Sequence, residues 1–262
     1  MTSFFGHLRS SARFPEFWSY SSWLSIATKY RRTRLGLIWA IMPVAVFVGA
    51  IGNIYSHLMG HKSGYYIPYL AVGYIVWRFM VQCTNEASSI LRESKSFIMD
   101  GRIRLTDFVL KSLSKALFYF LISLPVAIVA VTWSPEMHLI NFLTILITFP
   151  VVFINMIWWS TCVSLIGARH PDAGEVVNTM LRFGMLLTPI LWVGGRYAVG
   201  SLGWWASHAN PAFHLINLVR APILGESVGV YTWAYLAVMT VGGLALASFL
   251  YRRYRRFVPL WI

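Results

Sequence analysis

The sequence predicts an all-α integral membrane protein: an amphipathic interface helix at the N-terminus, six transmembrane helices, and two short re-entrant helices between spans five and six. Three observations lead there. Only 12% of the 262 residues are charged while 57% are apolar, against about 25% charged in an average soluble domain. Long runs without any charge recur along the chain, the first at residues 35–58. The cations gather at the ends of these runs rather than in one patch.

Residues 1–34 form an N-terminal division that is amphipathic rather than apolar. Phe14, Phe17, Trp18, Trp23, Leu24, Ile26 and Ala27 alternate with Arg13, Ser19, Ser21, Ser22 and Ser25. That pattern suits a helix in the lipid headgroup layer; the alternative is a frayed cytosolic tail. Pro15 and Glu16 fit a first helical turn, where a missing N–H and a negative charge are both tolerated. Lys29, Arg31, Arg32 and Arg34 close the segment. Lys and Arg stay preferentially on the cytosolic side, so this junction orients the chain.

The division from 35 to 251 holds the spans. The first, 35–58, reaches roughly 36 Å as a helix, enough for a hydrocarbon core of about 30 Å. It contains Pro43, Gly49, Gly52 and Asn53; glycine permits close helix approach, and a buried Asn is expected to bond a neighbouring helix. The second span is 65–84, with Arg78 in its inner half and expected to snorkel to the cytosolic interface. The polar stretch 85–107 is then cytosolic. Residues 88–99 within it fit a short helix that hands a push to a soluble partner, or a plain surface loop; periodicity does not decide.

The third and fourth spans are 108–133 and 139–167. Phe142, Phe149 and Phe153 share one face of the fourth, a stripe better suited to lipid or packing than to binding. The fifth, 176–193, carries Arg182 near mid-bilayer and Asn178 one turn earlier on the same face. A charge at that depth is costly and normally faces protein or water. Arg182 is therefore a functional candidate, the alternative being an arginine paired to a carboxylate or to helix carbonyls. Region 194–231 is too broken by Gly and Pro to cross. Two short helices fit there, at about 199–208 and 211–221, with Trp204 and Trp205 as interfacial anchors. The sixth span is 233–250, and a basic tail, 252–262, ends the chain.

Charge placement tests this topology. Six cations before residue 35, six from Arg92 to Lys115, Arg169 and four at the C-terminus fall inside, while only Lys62, Arg196 and Arg220 fall outside. Six spans with both termini cytosolic satisfy that asymmetry. The net charge of +13 would suggest nucleic acid in a soluble protein. Here the cations bracket apolar runs, so anionic inner-leaflet lipids explain the excess and no nucleic-acid partner is expected.

Other chemistries lack their signatures. There is no GxxxxGK[ST] phosphate loop, HExxH, GxSxG or close carboxylate pair. The seven histidines are scattered, and Cys83 and Cys162 read as packing residues, so no metal set is expected. The first 28 residues lack the uninterrupted apolar run of a cleavable signal peptide.

Three segments together resemble a known family: KYRRTRLGLIWAIMP at 29–43, LIGARHPDAGEVVNTMLRFGMLLTPILW at 165–192 and NPAFHLINLVRAPILG at 210–225. Their order and spacing resemble the membrane subunit of bacterial ABC-2 type exporters for cell-surface polysaccharides, the O-antigen and capsule group. The [KR]YR-x(3)-LG-x(2)-W and NP-x(2)-H pieces are the most specific, and the likeness covers essentially the whole chain. It favours O-antigen over capsular or teichoic-acid-type cargo. Rival readings are a small-molecule or lipid ABC-2 exporter, a bilayer glycosyl- or acyltransferase, and an ion-coupled carrier. Each would show a feature not visible here: an added large domain, a clustered catalytic set, or intramembrane carboxylates.

The resemblance implies a homodimer in the bacterial inner membrane bound to two copies of a separate ATPase, which would hold ATP and Mg, leaving this chain without a cofactor. The substrate would be an undecaprenyl-type lipid-linked polysaccharide. It implies a channel lined by Trp39, Phe47, Asn53, Tyr55, Asn178, Arg182, Phe183 and Trp192. Lys29, Arg31, Arg32 and Arg34 would meet the lipid pyrophosphate, the alternative for these being topology and lipid contact alone. Glu93, Ser94, Lys95, Phe97, Ile98 and Met99 would form the coupling helix seated in the ATPase. Trp204, Trp205, His208, Phe213 and His214 would belong to periplasmic gate helices. Aromatic faces give tolerant contact with sugar rings, and Asn and Arg offer exchangeable hydrogen bonds.

Overall fold

One long helix organises the molecule. In the computed structural model, which describes residues 3–31, 33–134, 138–194 and 200–262, α4 (Ser63–Glu93) runs through the centre and packs against most of the others. Its 31 residues exceed the expected span of 65–84, because nothing between Thr84 and Glu93 breaks a helix and Ala87, Ile90 and Leu91 bury an apolar face there. All described regular structure is helical.

Around α4 stand α3 (Ile38–Leu58), α6 (Leu105–Thr132), α7 (Ile145–Arg169, entered by a 3-10 turn, Leu139–Thr144) and α11 (Val230–Tyr254). Four described segments are long and apolar enough to cross a membrane: Ile38–Leu58, Leu105–Thr132, Leu139–Arg169 and Val230–Tyr254. Helix α4 has the length, but polar residues fill its inner half: Arg78, Gln82, Asn85, Glu86, Arg92 and Glu93. Glu86 takes an ion pair from Lys115 at 2.7 Å and a hydrogen bond from Gln82 at 2.9 Å. Such neutralisation allows charge inside a helical bundle.

The expected fifth span is shorter than its sequence suggests. Helix α8 (Ala173–Leu187) has 15 residues, about 22 Å of rise, and stops at Thr188 because Pro189 disfavours helical geometry in the residue before it. No residue of α8 is fully buried, so it lies at the edge of the molecule.

Close helix contacts rest on a few small residues. A Cβ on Gly167 would overlap the backbone carbonyl of Ser88 where α7 meets α4, and one on Gly243 would overlap the Trp158 indole where α11 meets α7. The N-terminal segment forms two helices, α1 (Phe4–Arg13) and α2 (Glu16–Tyr30), separated at Pro15. Phe4 is buried against Tyr251, Ser11 bonds Thr106 at 2.7 Å and Ser22 donates to the carbonyl of Lys111 at 2.9 Å. Phe14, Tyr20, Trp23 and Leu24 remain exposed.

Candidate functional site

Helices α3 and α8 both pack on α4, and a groove opens between α4 and α8. Phe47 of α3 stacks on Tyr74 of α4 at 4.0 Å and 14°. On the α8 side, Gly184 lets Trp77 approach until a Cβ there would meet the ring at 3.0 Å. Between α4 and α8 lies a cavity of about 280 Å³, walled by Tyr74, Trp77, Arg78, Val81 and Asn85 from α4 and by Asn178, Leu181, Arg182 and Met185 from α8. A second cavity, about 350 Å³ and lined chiefly by Trp, Met and Leu side chains, shares Trp77 and Leu181 with it.

Of the expected channel residues, Asn178 and Arg182 come together in this cavity. Phe47 adjoins it through Tyr74, and Tyr55 packs against the core of the same α3–α4 contact. Trp39 and Phe183 are exposed away from it. Asn53 does not reach a neighbouring helix. It is exposed, and its side-chain amide donates to the carbonyl of Gly49 one turn back at 2.7 Å, the local bonding that short polar side chains favour. Trp192 folds back, its indole N–H donating to the carbonyl of Leu186 at 3.1 Å.

Sequence reasoning did not place Arg78 in a cavity wall. Its Nη1 is buried without a hydrogen-bond partner among the described residues. It lies between the α4–α8 cavity and a small cleft against Tyr119, Phe120 and Ser123 of α6. The signal was present: a cation in an apolar helix with no acid one turn away.

Lys29 lies beside that α6 cleft, its Nζ donating to the Tyr119 hydroxyl at 3.4 Å and standing over the Tyr30 and Tyr119 rings at 5.5 and 5.4 Å. Arg31 and Arg34 are exposed around it. Arg32 lies outside the described residues, as do Arg196 and Val199.

At the opposite end, α9 (Leu202–His208) and α10 (Pro211–Ile223) bring the expected gate residues into one aromatic cluster. Trp204 stacks on His208 at 4.4 Å and packs on Trp205 at 4.9 Å; Phe213 lies 5.3 Å from His208. His214 is buried, stacks on Tyr235 at 4.1 Å and donates from Nε2 to the carbonyl of His208 at 2.9 Å. That bond leaves Nδ1 to accept from the Thr232 hydroxyl at 3.1 Å. Burial lowers its pKa and so favours the neutral ring.

The NP-x(2)-H segment thereby acquires a structural meaning. Asn210 Oδ1 accepts from the amide of Ala212, capping α10, and its Nδ2 donates to Thr188 Oγ1 at 2.8 Å. Pro211 occupies the first helical position, where its missing N–H is harmless.

On the cytosolic side of the sequence-derived topology, α4 ends at Ser94 and a five-residue helix, α5 (Lys95–Met99), follows. Gly101, at φ +72°, ends that turn. Ile98 and Ser94 are buried, whereas Glu93, Lys95, Phe97 and Met99 are exposed. Arg92 fastens the segment to the end of α7 through the carbonyls of Gly167 and His170 at 3.0 and 3.3 Å.

Four spanning-length apolar helices among the described residues define a multi-pass helical membrane protein. The chain belongs to the ABC-2 type transporter family, which it matches over residues 16–224. Two relatives from Escherichia coli, each described as polysialic acid transport protein KpsM, are 20% identical to it over 234 and 235 residues, 87% of this chain and 89% of theirs.

Proposed function

We propose that this chain is the membrane subunit of an ATP-driven exporter that moves a lipid-linked polysaccharide, of O-antigen type, out of the cytosol. It works as a homodimer in the bacterial inner membrane with six spans per copy and both termini cytosolic. Two copies of a separate ATPase subunit bind ATP and Mg. Membership of the transporter family over residues 16–224 carries the reading. The names of the two relatives support a polysaccharide cargo and favour a capsular polymer as the second reading.

The groove suits a sliding polymer. Tyr74 and Trp77 offer aromatic faces, and Asn85, Asn178 and the two arginines offer exchangeable hydrogen bonds. A polymer in transit has to bind weakly at many points, which aromatic stacking and single hydrogen bonds supply. Helix α4 and the short α8 complete six spans because protein, rather than lipid, covers the polar side of α4. The exposed apolar side chains of α8, among them Val176, Met180, Phe183 and Leu187, fit a face that meets the second copy. Helices α1 and α2 lie in the headgroup layer, with Trp23 and Leu24 toward lipid. Lys29, Arg31, Arg32 and Arg34 receive the pyrophosphate of an undecaprenyl-type carrier. Helix α5 docks in the ATPase, and the α9–α10 cluster gates the periplasmic side.

The experiment is complementation in cells whose own copy is deleted. Deletion is expected to strand finished glycan in the cytosol, and Arg182→Ala to restore export poorly while still co-purifying with the ATPase. Normal surface glycan after deletion would contradict the export role, and full export by Arg182→Ala would remove Arg182 from the path.

A further inference from the structure

Two arginines without counter-charges face the α4–α8 cavity. Arg78 and Arg182 both line it, and no carboxylate does. Neither makes a hydrogen bond or ion pair with a described residue; the described ion pairs are Arg102–Asp100 and Lys115–Glu86. The nearest acid in sequence to Arg78, Glu86, is already held by Lys115 and Gln82; the nearest to Arg182, Glu175, lies two turns back on α8 and does not line the cavity. Of the buried side-chain atoms left without a partner among the described residues, the donor Arg78 Nη1 belongs to this cavity wall, and so does the acceptor Asn85 Oδ1, which suits a hydroxyl beside the anionic group. A buried guanidinium nitrogen with an idle donor carries a desolvation cost that a ligand or another charge offsets. Two forked guanidinium groups on one cavity match the oxygens of a phosphoryl or carboxylate group, and Asn85 and Asn178 supply amides beside them.

We infer that Arg78 and Arg182 form an oxyanion-binding site in the α4–α8 cavity, taking a phosphoryl or carboxylate group of the cargo, with Asn85 and Asn178 as flanking amides. The inference builds on the export reading in treating this groove as the surface the cargo meets. The site adjoins the cation cluster at 29–34 across the α6 cleft, where Arg78 and Lys29 both meet Tyr119.

The test measures ligand binding to the full chain purified in uncharged detergent, with no transport step, so that its failure and the failure of the export reading are told apart. Probes are farnesyl pyrophosphate, inorganic pyrophosphate, a hexagalacturonate and, as the neutral control, maltohexaose. An anionic probe is expected to bind more tightly than maltohexaose. Arg182→Gln and Arg78→Gln should each weaken it about tenfold or more, as loss of a charge-assisted hydrogen bond does. Arg182→Lys should retain part of the affinity, and Arg252→Gln, at the far cytosolic end, all of it. Preference for farnesyl pyrophosphate would assign the site to a lipid phosphate, and preference for hexagalacturonate to an acidic sugar. Arg182 is exposed at the cavity rim, so its glutamine variant is expected to fold even where Arg78→Gln does not. Equal binding of maltohexaose, wild-type affinity in Arg182→Gln, or no binding of any anionic probe would overturn the inference.

Discussion

Arg220 donates a 2.7 Å hydrogen bond from Nη1 to the carbonyl of Pro189. Its guanidinium also stands 3.7 Å from the centre of the Tyr69 ring. The Tyr69 hydroxyl donates to the carbonyls of Pro189 and Trp192 at 3.2 and 3.1 Å. Chain that leaves α8 without helical hydrogen bonds is thus held by α4 and α10 together. Arg220→Met should lower stability by about 2–4 kcal/mol, since it removes a buried charged hydrogen bond and a desolvated cation–π contact. Arg220→Lys should recover only part, lacking the planar fork. Thermal unfolding in detergent checks this, and an unchanged midpoint in Arg220→Met would contradict it.

Helix approach at Gly167 allows a sharper contrast. Gly167→Ala places a methyl on the Ser88 backbone carbonyl, whereas Gly49→Ala enters open space. The first should cost about 1–3 kcal/mol or more, as overpacking does. The second should be neutral or slightly stabilising through helix propensity. Thermal midpoints of the two variants, measured side by side, provide the check.

The α9–α10 aromatic cluster should respond to acid. His214 is buried against His208, Thr232 and Tyr235, and its pKa lies below the ordinary 6.5. Folding favours the neutral ring, so the unfolded segment binds the proton more readily. The stabilisation is complete above about pH 6.5 and is lost as pH falls through that value toward the lowered pKa. Amide exchange in α10 should be faster at pH 5.5 than at pH 7.5, after correction for intrinsic rates. His214→Gln should abolish that pH dependence.

Docking of α5 has a directional test. Cysteines at Phe97 or Met99, both exposed, should crosslink to the ATPase subunit, whereas a cysteine at the buried Ser94 should not. Crosslinks that spared 97 and 99 would move the coupling contact elsewhere.

Much of this organisation was legible in the sequence, and the exceptions have physical causes. Charge asymmetry and apolar runs marked the four helices long and apolar enough to span, because those segments keep their polar groups out of the middle. Helix α4 extended beyond its expected end because hydropathy registers charge but not the partner that neutralises it, as Lys115 does for Glu86. Arg182 and Asn178 shared a face as one-turn spacing requires. What surrounds Arg78 and Arg220 was not legible, because it is tertiary information: Arg78 lines a cavity, and Arg220, expected only as an external cation in the 211–221 helix, is a buried tie. NP-x(2)-H carried its signal as a motif, and the bonds of Asn210 to Thr188 and of His214 to His208 show what its residue types hold together.

The most direct measurement reconstitutes the chain with its ATPase subunit in sealed vesicles and follows lipid-linked glycan across the membrane. Export by this subunit predicts glycan movement that requires ATP hydrolysis and both proteins, and that drops sharply with Arg182→Ala. Glycan movement by this chain alone, driven by an ion gradient, would contradict it.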